Sequence, residues 1–282
     1  MWVPDWLQTL RALRPTHVMQ ALPTGSPLLL LNPRDLRRAD PAPLPRVRVP
    51  ARFLLEPLLR AARDADALLG LSPLGVGPGP GVGRFAGALM AAAEEVGFGA
   101  PLFMATPPLH APASGEPGDR LRDEIQRYLD AGFTEIVLAA VAGPSVASLE
   151  SLDVALDTVR ERELPLTLAA ATADDAALLL ETLVSGGLEP DLVALGSASG
   201  AGALGAAGIE LPLVEARSGI QGVDLSAPIA AVAGEISDSS DAASQARAEA
   251  LVYAEAFQML GAEPFRGSAA RAMRALAERP GY

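Results

Sequence analysis

The sequence predicts an α/β protein, a (β/α)8 TIM barrel, in which residues 1–45 form an N-terminal helix and Pro-rich extension and residues 46–282 form the barrel. Three observations carry this. The stretch Asp119–Gly143 reads as a helix, a tight turn and a buried parallel strand. The same unit recurs before and after it, giving eight strand candidates that alternate with helices between Arg46 and Leu260. That number of units fits a barrel, whose usual length is about 250 residues. A doubly wound sheet is the rival, and no strand candidate is followed by a convincing dinucleotide fingerprint.

Each element has its own signal. Leu121, Ile125, Tyr128 and Leu129 fall on one face of a helix, and Gly132 is placed to end it in the left-handed region. Ile136–Ala140 then runs apolar without alternation, as a strand covered on both faces does. Upstream, Pro4–Leu13 forms a short helix, and Pro15–Pro50 is proline-rich with one apolar burst, Leu28–Leu31. Arg34, Arg37 and Arg38 cluster there and read as a solvated loop or helix face.

The repeating units begin with strand Arg46–Val49 and helix Phe53–Asp64, then strand Ala67–Leu71 and helix Arg84–Val96. Leu102–Ala105 is the third strand, and the Asp119–Gly143 unit supplies the fourth. Ser148–Glu163 is a helix with Leu152, Leu156 and Val159 inward, and Leu166–Ala170 a strand. Thr172 caps a helix with Asp174 and Asp175 in its first turn, which Gly186–Gly187 ends. Leu192–Leu195, Leu213–Glu215 and Ile229–Val232 complete the strands, and helices Asp241–Leu260 and Arg271–Glu278 close the chain.

Composition excludes several chemistries. Half of the residues are hydrophobic but only 4% aromatic, so the core is built from Leu, Val, Ile and Ala. A net charge of −12 argues against nucleic acid, which needs a basic face. There is no Cys and no Lys, which removes thiolate nucleophiles, Cys-bound metals, Schiff bases and a P-loop lysine. No apolar run reaches the roughly 20 residues of a membrane span. The opening MWVPDWLQTL lacks a basic region ahead of an apolar one, so a cytoplasmic protein without a secretion signal is expected.

Candidate chemistry gathers after the strands. The loop Gly75–Gly83 has overlapping G-x-G spacings, but Pro78 and Pro80 remove two amide donors that a phosphate cradle would need. Of the two histidines, His17 is expected to be a packed or surface imidazole. His110 follows the third strand and is the candidate general acid or base, with Glu215 as the other catalytic candidate. Two histidines cannot supply a three-histidine zinc site, so no zinc or other cofactor is expected, while a Mg²⁺ or Mn²⁺ site made of carboxylates stays open. The loops after the last two strands offer Arg217, Ser218, Gly219, Ser237, Ser239 and Ser240 as phosphate-binding candidates, since barrels often bind phosphate there.

Three segments carry a family resemblance. AGFTEIVLAA resembles the helix-to-strand "AGF-[ST]-x-[IV]" segment of class II fructose- and tagatose-bisphosphate aldolases, a group that includes the tagatose-bisphosphate aldolase accessory subunit. LPLVEARSGI resembles their "PLVLHGGSGI", and EISDSSD their "KINVNTD". The resemblance implies a barrel, a sugar-phosphate ligand and a zinc site, but the metal ligands depart from the pattern. Ala105-Thr106-Pro107-Pro108 stands in place of the family's Asp-His pair, and Ser199 and Glu215 stand in place of its other two histidines.

The expectation is therefore a degenerate aldolase-like barrel without zinc, a pseudoenzyme acting as a subunit or sugar-phosphate binder. The alternatives are a zinc-free lyase or isomerase and an assembly scaffold. The expected partners are a sugar phosphate and a partner subunit or a second copy of the chain, with neither nucleic acid nor membrane.

Overall fold

The computed structural model of the chain describes residues 5–40, 44–49, 51–73, 80–112, 117–139, 149–170, 173–188, 190–195, 242–263 and 265–278. In the extension lie α1 (Asp5–Ala12), α2 (Thr16–Ala21), β1 (Leu29–Leu30) and α3 (Pro33–Ala39). The β/α series follows as β2 (Arg46–Val49), α4 (Leu55–Ala65), β3 (Leu69–Pro73), α5 (Pro80–Val96), β4 (Pro101–Met104) and β5 (Leu109–His110). It continues with α6 (Asp119–Asp130), β6 (Ile136–Ala139), α7 (Leu149–Glu161), β7 (Leu166–Ala170), α8 (Ala173–Ser185) and β8 (Leu192–Leu195). Near the C-terminus are α9 (Ala242–Leu260) and α10 (Ser268–Ala277). The expected strands Leu213–Glu215 and Ile229–Val232 lie outside the described residues.

Strand order separates the two architectures. Among the described residues every strand pairing is parallel, in two sheets ordered β1-β4-β3-β2 and β5-β6-β7-β8. A parallel bridge from Ala105 to Glu135 joins them just past the end of β4. Apart from β1, which pairs with β4, neighbours in space are neighbours in sequence, β2-β3-β4 and then β5-β6-β7-β8. A doubly wound sheet instead reverses its order at a switch point.

Side chains show that this sheet curls. The Arg46 guanidinium on β2 pairs with Glu135, at the foot of β6, and donates to Thr167 Oγ1 on β7 at 3.1 Å. Four strand steps of about 4.8 Å would put β2 and β7 about 19 Å apart in a flat sheet. No arginine side chain crosses that distance, so Arg46, Glu135 and Thr167 face each other across a concave surface. The helices follow the curve, since α9 packs along α4, the first helix of the series. Tyr253 on α9 donates a hydrogen bond to Asp64 at 2.9 Å.

The strands alternate between the concave face and the helices. Val47, Leu71, Leu102, Met104, Ile136, Leu138, Leu166 and Leu168 enter the large apolar cluster shared with the helices. Arg46, Gly70, Phe103, Glu135 and Thr167 take the opposite parity. Gly70 is required there, because a Cβ at this position would overlap the Phe103 ring. A second cluster covers the N-terminal ends of the strands, with Leu10 of α1, Leu36 of α3 and Ala269, Ala272 and Leu276 of α10 around Phe103.

Among the described residues the expected strands and helices of the β/α series are present, with Gly132 at φ +86° ending α6 as the sequence requires, while α2, α3, β1 and β5 were not expected. Differences have local causes. Helix α5 begins at Pro80 rather than Arg84, since proline suits the first helical turn, where its missing N–H costs nothing. The burst Leu28–Leu31 yields a strand paired with β4, and α3 forms with Asn32 capping Arg34 N and Pro33 at its start. His17 is packed, 6% exposed, its Nε2 donating to the Phe133 carbonyl at 2.8 Å.

Candidate functional site

Parallel β/α architectures present their chemistry at the C-terminal ends of the strands. At that end of β2 stands Arg48. Two residues along from Arg46, it shares the concave face, and its Cα lies opposite that of Ser72 on β3. It is exposed, and its side chain forms no ion pair or hydrogen bond among the described residues. Ser72 is buried and donates from Oγ to the Thr106 carbonyl at 3.2 Å. Thr106, 1% exposed, is itself occupied, its Oγ1 accepting from Val137 N at 2.9 Å.

This geometry bears directly on metal chemistry. Past the end of β4, where the resembled family carries an Asp-His pair, Ala105 offers a methyl group and Thr106 a hydroxyl engaged by backbone. Neither is a zinc ligand of the usual kind. Among the described residues no group of three His, Cys, Asp or Glu side chains converges to hold a metal ion.

His110 lies on β5 with its side chain exposed, and it lines a cavity of about 530 Å³ between the C-terminal end of that strand and the first turns of α6. Arg120 and Glu124 share the lining, with Pro108, Pro112 and Pro117 as apolar walls. Burial holds the Glu124 carboxyl above the usual carboxylate range, against the opposing pull of Arg120, Arg127 and His110. The structure thus brings His110 together with an arginine and a partly buried carboxyl, a set capable of proton transfer to a small polar ligand.

The remaining predicted site residues, Glu215, Arg217, Ser218, Gly219, Ser237, Ser239 and Ser240, lie outside the described residues. Sequence reading also passed over Arg48 and Glu135. The RVRV alternation was the available signal for Arg48, since two arginines of one parity must share a face. Glu135 stands directly before a buried strand, and only the tertiary fold shows what faces it.

With the site in view, the likenesses can be placed. Over 84% of this chain and 96% of the other, the structure resembles the YdjI aldolase from Escherichia coli K12, with a TM-score of 0.55 and 14% identity. A putative fructose-1,6-biphosphate aldolase from Coccidioides immitis gives 0.52 and 12% identity, over 94% of this chain and 99% of that one. The fold is aldolase-like. No protein-family model and no curated protein matches the sequence. Identity this low extends the likeness to the fold alone, so the chemistry of an aldolase-like chain must be argued from its own residues. No helix among the described residues is long and apolar enough to cross a membrane.

Proposed function

We propose that this chain is a (β/α)8 barrel that binds a phosphorylated small molecule at the C-terminal ends of its strands without zinc-dependent aldol chemistry. In this reading it acts as a non-catalytic subunit or a sugar-phosphate-binding protein. The observation that carries the reading is Arg48, an exposed guanidinium on the concave face of a chain whose net charge is −12. A planar guanidinium binds phosphate through paired charge-assisted hydrogen bonds. Arg217, Ser218, Gly219, Ser237, Ser239 and Ser240 join it in the proposal as donors from the last two loops. Helix α9 returning to α4 supports closure of the barrel. A residue set at the end of β4 unsuited to zinc supports the loss of aldol chemistry.

Calorimetric titration of the full chain with fructose 1,6-bisphosphate tests this. Binding should saturate and weaken by about tenfold or more in Arg48→Ala, as for loss of a charged hydrogen bond. Elemental analysis should find no stoichiometric zinc, and chelator should leave the melting temperature unchanged. Absence of saturable binding, or equal binding by Arg48→Ala, would refute the binding role. One zinc per chain would refute the zinc-free reading.

The His110 cavity favours a second reading, a zinc-free lyase or isomerase with His110 as general acid or base. Glu215 stays the other catalytic candidate in that reading. Turnover of a sugar phosphate by the isolated chain, lost in His110→Ala while binding persists, would establish it.

A further inference from the structure

The cavity beside His110 gathers three polar side chains that remain available to a ligand. His110, Arg120 and Glu124 all line its volume of about 530 Å³, which is within the range of small-molecule sites, about 300–1,000 Å³. Among the described residues, none of the three makes a hydrogen bond or an ion pair through its side chain. Arg120 and Glu124 stand at i and i+4 of α6, where Cβ atoms are about 5–6 Å apart and opposite charges ordinarily meet. Elsewhere the chain closes such pairs, Glu56 with Arg60 at the same spacing on α4 and Asp119 with Arg122 at 2.8 Å on α6 itself. Arg120 and Glu124 leave theirs open, and both line the cavity instead.

The two charges ask for opposite partners. Glu124 is half-buried, and burial raises its carboxyl pKa although Arg120, Arg127 and His110 pull the other way. A cation brought to that carboxylate would offset its lost hydration, and Arg120 offers a planar fork to a carboxylate. A phosphate dianion meets only half of this demand, because it pairs with Arg120 and faces Glu124 as a like charge. A molecule with a carboxylate and an ammonium on one carbon meets both. The rest of the lining is apolar, with Pro108, Leu109, Pro112, Pro117 and Leu121 offering hydrocarbon surface to a third, aliphatic group.

We propose that this cavity binds a free α-amino acid with an aliphatic side chain, its carboxylate on Arg120, its ammonium on Glu124 and its side chain against the prolines. His110, exposed at the strand end, supplies an imidazole N–H as a further donor to the carboxylate. Such a ligand needs no turnover and no part of the phosphate site at Arg48, and it differs from the sugar phosphate of the second reading.

The test is calorimetric titration of the full chain with L-leucine, beside 4-methylpentanoate, which lacks the ammonium, and 3-methylbutylamine, which lacks the carboxylate. L-leucine should saturate and bind about tenfold or more tighter than either, since each analogue has lost a charge-assisted hydrogen bond. Arg120→Ala and Glu124→Gln remove no hydrogen bond from the fold, and each should weaken L-leucine by about tenfold or more. Glu124→Gln should also bring L-leucine level with 4-methylpentanoate. Fructose 1,6-bisphosphate should neither displace L-leucine nor respond to Arg120→Ala. Absence of saturable L-leucine binding overturns the site, whether or not the sugar phosphate binds at Arg48. So does equal L-leucine binding by Arg120→Ala, or a preference for L-leucine over 4-methylpentanoate that persists in Glu124→Gln. Displacement of L-leucine by the sugar phosphate overturns it too, and assigns the cavity to the second reading.

Discussion

Replacing Arg46 by Met should cost about 3 kcal/mol, the low end of the 3–5 kcal/mol seen when one partner of a buried ion pair is removed. The low end applies because the Arg46 side chain keeps 18% of its exposure, while that of Glu135 keeps 2%. Without the guanidinium, the Glu135 carboxylate retains only the Thr167 hydroxyl as a donor among the described residues, at a position 2% exposed. Methionine fills similar volume, so the loss is one of charge compensation rather than packing. Urea unfolding followed by circular dichroism would measure it, and the melting temperature should fall by about 2–4 °C per kcal/mol for a chain of this size. The double variant Arg46→Met/Glu135→Leu should recover most of the loss, because it removes the stranded charge. A second cycle, Arg46→Met with Thr167→Val, tests the curl itself. Residues in contact couple by about 0.5–3 kcal/mol, whereas residues well separated add independently. Strict additivity between Arg46 and Thr167, or a single-variant loss below about 1 kcal/mol, typical of exposed pairs, would refute the reasoning that β2 faces β7.

Three further outcomes follow from the same structure. Gly70→Ala should destabilise by about 1–3 kcal/mol through overpacking against Phe103, and Phe103→Leu in that background should restore part of it; a neutral Gly70→Ala in urea would contradict the packing. Ile136→Asp places an unpaired carboxylate at a fully buried position and should cost more than about 4 kcal/mol, so soluble, cooperatively unfolding protein would show the core misassigned. Burial holds the His17 imidazole below its ordinary value of 6.5, although its bond to the Phe133 carbonyl pulls the other way. The folded state therefore binds this proton less readily than the unfolded one. Stability should fall as pH drops below about 6.5 and level off below the folded value, and His17→Gln should flatten that limb; identical pH profiles for the two proteins would exclude it.

Much of the architecture was legible because it is local. The period of Leu121, Ile125, Tyr128 and Leu129, the glycine after α6 and the apolar strand that follows are consequences of residues within a few positions of each other. Helix spacing and strand spacing differ, so the alternation of the two could be read without knowing what packed on what. Composition likewise removed thiol and lysine chemistry before any fold was known. What the sequence by itself determined is therefore the order and type of the main β/α elements and the chemistry that is out of reach.

Juxtaposition was decided by the tertiary structure alone. Glu135 and Thr167 stand 89 and 121 positions from Arg46, the arginine that joins them, and Arg34 meets Asp191 across 157. Nothing in local spacing encodes such pairs, because they depend on how far the sheet curls, which is set by packing summed over all its strands. The arginines of α3 read as a solvated face in sequence, and Arg34 becomes a wall of a cavity only when α3 docks beneath the foot of β8. Glu135 shows the same limit, since a glutamate before a strand acquires an unsatisfied oxygen only once its neighbours have closed over it.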